Sequence, residues 1–120
     1  MIVTLPFPDS RLFPNAKNKL GHWGWRPVAN KAREDACILA CSQLPINVRQ
    51  ALIHGGERIK GTVRFIQPDR RRRDDSGMIG AFKHYEDGVA DALQVDDYRF
   101  RFNYEFADEP EKPGRVEISF

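Results

Sequence analysis

Apolar and polar side chains alternate without a break over residues 98–106, with Tyr98, Phe100, Phe102, Tyr104 and Phe106 on one face and Arg99, Arg101, Asn103 and Glu105 on the other. A period of two predicts a strand, and this is the strongest strand pattern in the chain. Ile59, Gly61, Val63 and Phe65 alternate with Lys60, Thr62 and Arg64, which predicts a second, half-buried strand running into Gln67-Pro68. Ile2 to Leu5 is a short opening strand, ended by Pro6 and Pro8, which cannot donate to a ladder. Val116, Ile118 and Phe120, beyond the polar loop Ala107 to Gly114, are expected to be the hairpin partner of the 98–106 strand.

Two stretches carry the helical period instead. Ala29, Ala32, Ala36, Leu39, Ala40 and Gln43 form a stripe that predicts a helix over Val28 to Leu44, with Pro27 in its first turn and Pro45 stopping it. Met78, Phe82, Tyr85, Val89 and Ala92 or Leu93 are spaced by threes and fours, the core face of a helix of about sixteen residues. Gly80 and Gly88 within it cost roughly 1 kcal/mol each relative to Ala. Residues 47–52 are read as a short helical piece, His54 to Glu57 as a turn, and residues 9–27, which show neither period, as a long ordered loop. The expected architecture is α/β (α+β): one domain over residues 1–120, with one mixed sheet of about four strands packed by two helices.

At 120 residues the chain is large enough for a single core without a metal or disulfide staple. Nineteen Lys and Arg against 17 Asp and Glu leave a formal charge of +2, so a polyanion partner must be argued from local clustering. The two cysteines, Cys37 and Cys41, lie one helical turn apart and read as a reduced pair with no further zinc ligands at a suitable spacing. No membrane span or signal-peptide layout is found, which makes a cytoplasmic location the expectation. There is no glycine-rich phosphate loop, hence no nucleotide cofactor, and His22, His54 and His84 show no nucleophile-system spacing.

The densest charge is Asp69-Arg70-Arg71-Arg72-Arg73-Asp74-Asp75, between a strand and a helix. Adjacent guanidiniums repel, so the run calls for an anion such as a DNA backbone, or for compensation by Asp69, Asp74 and Asp75 in a solvated loop. Asp74-Asp75 precede the second helix and Asp96-Asp97 follow it. Carboxylates gathered beside arginines suit Mg²⁺ and phosphoryl chemistry, provided an acid from each end can meet, across a helix about 24 Å long. The alternative is that Asp75 and Ser76 cap the helix and Asp96-Asp97 make a turn.

Leu5-Pro6-Phe7-Pro8, Pro68-Asp69-Arg70-Arg71-Arg72-Arg73-Asp74, Asp87-Gly88, Asp91-Ala92-Leu93 and Asp96-Asp97 together resemble the RusA family of Holliday junction resolvases, over nearly the whole chain. The resemblance implies a homodimeric crossover junction endodeoxyribonuclease of recombination and repair, common in prophages, that binds four-way junction DNA and cuts it with Mg²⁺ held by three aspartates per subunit. Carried over, the first aspartate is Asp74 and the third is Asp97; the second falls at Ser76, a departure at a catalytic position. A family lysine falls at Gly80, and Lys83 lies on the same helical stripe and takes the candidate role. The expected metal set is Asp74, Asp97 and, by a one-residue shift, Asp75.

Arg70, Arg71, Arg72 and Arg73 are expected to hold the DNA backbone, with Lys17 and Lys19 from the first loop. In that loop Trp23 is read as a plug anchoring it to the core. Arg99 and Arg101 either extend the DNA surface or are simply exposed, and the aromatic row of the 98–106 strand is read as core. Two rivals to the nuclease stand beside it: a junction binder that has lost catalysis through Ser76, and a module whose arginines meet an acidic protein.

Overall fold

The computed structural model describes residues 1–120. Four strands, β1 (Ile2–Pro6), β2 (Ile59–Ile66), β3 (Phe100–Phe106) and β4 (Arg115–Ser119), form one mixed sheet in the order β1-β4-β2-β3. Four helices accompany it: α1 (Pro14–Leu20), α2 (His22–Gln43), α3 (Ile46–His54) and α4 (Asp75–Leu93). The α+β class with a four-stranded mixed sheet is as the patterning predicts, with four helices in place of two.

Strand β3 follows β2 through α4 and pairs with it in parallel, Ile59 opposite Phe100 and Phe65 opposite Phe106. The expected hairpin between β3 and β4 does not form. Residues 107–114 are longer than a tight hairpin turn, and they carry the chain across the end of β2, where Ala107 and Glu111 donate to the carbonyls of Phe65 and Gln67. β4 then runs antiparallel between β2 and β1. The free edge of β1 is closed by a side chain: the Gln43 amide accepts from Thr4 N–H at 2.7 Å and donates to Thr4 C=O at 2.8 Å. That two-bond contact substitutes for a neighbouring strand.

Residues 9–27 are not a loop. Asp9 accepts from Arg11 N–H and opens a 3-10 turn over Ser10–Leu12; Pro14 occupies the first turn of α1; and Gly21, at φ 74°, separates α1 from α2. Helix α2 therefore starts at His22, six residues before the expected Val28, and runs through Pro27. An internal proline removes its own N–H bond and crowds the carbonyl four residues earlier, here in the mostly exposed first turns of α2, before the buried alanine stripe that begins at Ala29. Trp23 is 89% exposed, so it does not plug the core. The packed tryptophan is Trp25, partly buried against the core cluster.

The core joins the apolar face of α4 to the sheet, with Phe82 edge-on to Phe65 at 6.0 Å, and the alanine stripe of α2 (Ala29, Ala32, Ala36, Ala40) is buried as its period predicts. Helices α2 and α4 approach closely at Gly88, where an added Cβ would lie 2.2 Å from the Arg33 carbonyl. Above this contact the Arg33 guanidinium spans both Asp91 carboxylate oxygens at 2.6 and 2.8 Å. This pairing holds the Asp91 carboxyl below its ordinary range and raises Arg33. The aromatic row of β3 is only partly core: Phe100 is buried, Phe102, Tyr104 and Phe106 are half-buried on an edge strand, and Tyr98 lies outside the strand and is exposed. No single helix is long and apolar enough to cross a membrane.

Candidate functional site

The arginine run fills the link between the end of β2 at Ile66 and the start of α4 at Asp75. Its four guanidiniums have different fates. Arg70 pairs with Glu109 at 2.5 Å. Arg73 turns inward: its side chain is 14% exposed, it donates to Asp69 and Gln67 at 2.9 and 3.1 Å, and it lies over the Phe7 ring at 5.2 Å. The Asp69 carboxyl is held below its ordinary range, first by the Arg73 hydrogen bond. Arg71 and Arg72 are exposed, and their guanidiniums form neither an ion pair nor a hydrogen bond within the chain. Arg73 is therefore built into the fold, Arg70 is held only in an exposed surface ion pair, and Arg71 and Arg72 present unpaired positive charge.

Arg72 lines a groove of about 470 Å³ between Phe13–Asn15 on one side and Arg72–Asp74, Ser76 and Gly77 on the other. Gly77 lets the Phe13 ring pass within 3.3 Å of where a Cβ would stand. Asp74 is the N-cap residue of α4 but makes no side-chain cap bond, and Asp75 lies in the first turn. The unpaired N–H groups of a helix start favour an anion at this end of the groove.

At the other end of α4 the acids regroup. Lys83 Nζ bonds Asp97, lies 3.0 Å from Glu86 and lies 3.2 Å from Asp87, and oxygens of Glu86, Asp87 and Asp97 all fall within 4.8 Å of one another. Burial opposes the charge on Lys83, but the three carboxylates outweigh it and raise its pKa. The Asp97 carboxyl is held down, first by the Lys83 bond. Asp96 instead accepts from Tyr98 N–H and caps a 3-10 turn over Asp97–Arg99.

Lys83, expected to reach back along the helix toward the Ser76 end, bonds Asp97 beyond the opposite end instead, and the expected metal set Asp74, Asp75 and Asp97 is not assembled. Asp74 and Asp87 are separated by 13 residues of α4, about 20 Å along its axis. Asp97 sits at the Asp87 end. Mg²⁺ takes its oxygens at about 2 Å, so no single ion can be shared between Asp74 and Asp97 in one chain. The two acids that do flank Asp97, Glu86 and Asp87, stand three and four residues after Lys83, a spacing that in a sequence reads as an ordinary surface ion pair.

Lys17 and Lys19, expected at the DNA, lie on α1. Lys19 is exposed without an ion-pair partner, whereas Lys17 is half-buried, 4.5 Å above the centre of the Trp25 ring and 3.3 Å from His84 Nε2. Because an ammonium only donates, Nε2 accepts and the neutral ring carries its proton on Nδ1. Arg99 is not free for DNA: its guanidinium donates to the carbonyls of Ile53, Gly56 and Glu57. Arg101 is exposed.

The His84 contact makes the docking of α1 pH-dependent. Burial, reinforced by Lys17, lowers the His84 pKa below its ordinary 6.5. A base with a depressed folded pKa contributes its full stability above the unfolded value and loses it as pH falls through 6.5 toward the folded value. Urea unfolding at pH 7.5 and 5.0 is expected to show a loss of stability in acid that His84→Gln reduces; an equal loss in both proteins would place the titrating group elsewhere.

No family model matches the chain. A protein of Xylella fastidiosa (strain Temecula1 / ATCC 700964), described as an uncharacterized protein, is 36% identical over 124 residues, taking in 98% of this chain and 73% of that protein. Similarity of that degree over essentially the whole fold reflects common descent, and the chain belongs to one family with this Xylella fastidiosa protein.

Proposed function

We propose that this protein is a RusA-like, homodimeric binder of branched DNA that acts on four-way junctions in the cytoplasm and has impaired or lost cleavage. The observation that carries the reading is the division of the arginine run: Arg71 and Arg72 are left without partners, and Arg72 lines a groove that ends at the start of α4. Unpaired guanidiniums at a helix start suit phosphate oxygens, and phosphate contact needs no metal. Cleavage is the weaker half of the resemblance, because Ser76 stands where an aspartate is expected and Asp74 lies a helix length from Asp97.

A second reading, Mg²⁺-dependent endonuclease action on the same DNA, draws on the proximity of Glu86, Asp87 and Asp97. Three carboxylates are the donor type Mg²⁺ takes, but Lys83 now bonds all three, so an ion would have to displace its ammonium.

The test is a gel shift with a four-way junction against linear duplex of the same sequence over a salt series, followed by incubation with Mg²⁺. The expected result is junction-preferring binding that weakens steeply with salt, and no products from the native protein or from Ser76→Asp, whose new carboxylate would still lie far from Asp97. Products that disappear in Asp87→Asn would establish the second reading. Equal, weak binding of both DNAs would remove both.

A further inference from the structure

A second groove, also about 470 Å³, lies on the other side of Phe7, between the end of β1, the 3-10 turn and α2. Its walls are apolar, formed in part by Pro6, Phe7, Pro27 and Val28. Tyr85 of α4 reaches it from the core. That residue is only 6% exposed, yet its hydroxyl makes no hydrogen bond to the protein and is not a sealed, orphaned atom, so the groove is the direction left to it. The hydroxyl is therefore open to water from the groove, and a polar edge entering there would take that water's place.

The rim identifies the chemistry. Asp9 is paired with Arg11 at 2.8 Å and Lys31 with Asp35 at 2.9 Å, so the rim offers both donors and acceptors but no net charge. A phosphate would gain little there. A flat, neutral ring with donors and acceptors on its edge would match the apolar walls and the mixed rim together, which is the ordinary composition of a small-ligand site. The groove also adjoins the arginine run: Phe7, which lines it, carries the Arg73 guanidinium on its ring and faces Phe13 of the first groove at 6.4 Å.

We propose that this second groove receives one unpaired nucleobase of the branched DNA, with the ring against Phe7 and Pro27 and its polar edge at the Tyr85 hydroxyl, while the adjoining backbone lies along the arginine run. The proposal rests on the DNA-binding reading above and adds to it a site for a base that leaves its stack. A bulged base is already unpaired, and the central pairs of an open four-way junction lack a stacked neighbour on one side, so extrusion costs less there than within a duplex. A base pocket beside the backbone site would therefore favour branched over linear DNA without reading sequence.

The experiment uses the full chain and fluorescence anisotropy at one fixed salt concentration. Three labelled probes are compared: a four-way junction, a duplex with a single adenine bulge, and the same duplex with an abasic bulge. The adenine bulge is expected to bind at least about fivefold tighter than the abasic one, the scale of one stacked base. Tyr85→Phe, which keeps the buried ring, is expected to reduce that ratio about threefold, the scale of one hydrogen bond. Val28→Trp, which fills the groove from its surface, is expected to bring the ratio close to one. Equal binding of the two bulges by the native protein, with the junction still bound, overturns the base pocket alone. Failure to bind any of the three overturns the DNA reading and the pocket with it.

Discussion

Gly88→Ala is expected to destabilise the protein by about 3 kcal/mol, the upper part of the range for overpacking a tight contact. In an isolated helix the same change would stabilise by roughly 1 kcal/mol. Tertiary contact reverses the sign. The added Cβ would stand 2.2 Å from the Arg33 carbonyl oxygen and 2.8 Å from the Ala36 Cβ, and neither is the movable end of a side chain. Relief requires α2 to withdraw from α4, which would loosen the buried alanine stripe and pull Arg33 from Asp91, now bonded at 2.6 and 2.8 Å. For a domain of this size the loss corresponds to a fall in Tm of roughly 10 °C. Gly80→Ala is the control: its nearest neighbour is Pro14 Cγ at 3.3 Å, on a short helix without a buried residue, so its cost is expected to be small. Equal melting of Gly88→Ala and the native protein would mean that the helices do not pack at this point.

Gly88 also shows what the amino-acid pattern could and could not convey. As a glycine in a helical stripe it reads as a weakness, because the carbonyl it accommodates belongs to Arg33, 55 positions earlier in the chain. The stripe itself was legible: Met78, Phe82, Tyr85, Val89 and Leu93 are buried as their spacing requires, since a core face is set by the local period. The partner of β4 was not, because pairing depends on how the 107–114 connection crosses β2. Helix α1 was hidden for a related reason. It buries no residue, so it has no apolar stripe, and its signals are only Asp9, Pro14 and Gly21.

The candidate site divides along the same line. Helical spacing placed Lys83 on the stripe of Ser76, Gly80 and Asp87 but carried no information on Asp97, which lies beyond the helix, and the expected meeting of Asp74 with Asp97 required a doubling back that the 19-residue α4 does not permit. Nor could a run of four arginines reveal which were committed, since Arg70 is claimed by Glu109, 39 residues away.

That division of the arginines sets the largest expected effect on binding. Arg71→Ala with Arg72→Ala is expected to weaken junction binding at least about 100-fold at low salt, two charge-assisted phosphate bonds of about 1.5 kcal/mol each. The slope of log affinity against log salt should fall by about 0.9 for each phosphate no longer neutralised. Because neither side chain bonds within the protein, the melting temperature should not change. Arg73→Ala is expected to do the reverse: it abandons Asp69, Gln67 and the face of Phe7, so it lowers stability while removing a guanidinium that is only 14% exposed. Measuring anisotropy over a salt series beside thermal unfolding separates the two effects. An unchanged salt slope in the double variant would mean that phosphates are held elsewhere, with exposed Lys19 of α1 the next residue to replace. A double variant that binds poorly and also melts early would instead show that Arg71 or Arg72 supports the fold, and the free charge beside the groove would no longer argue for DNA.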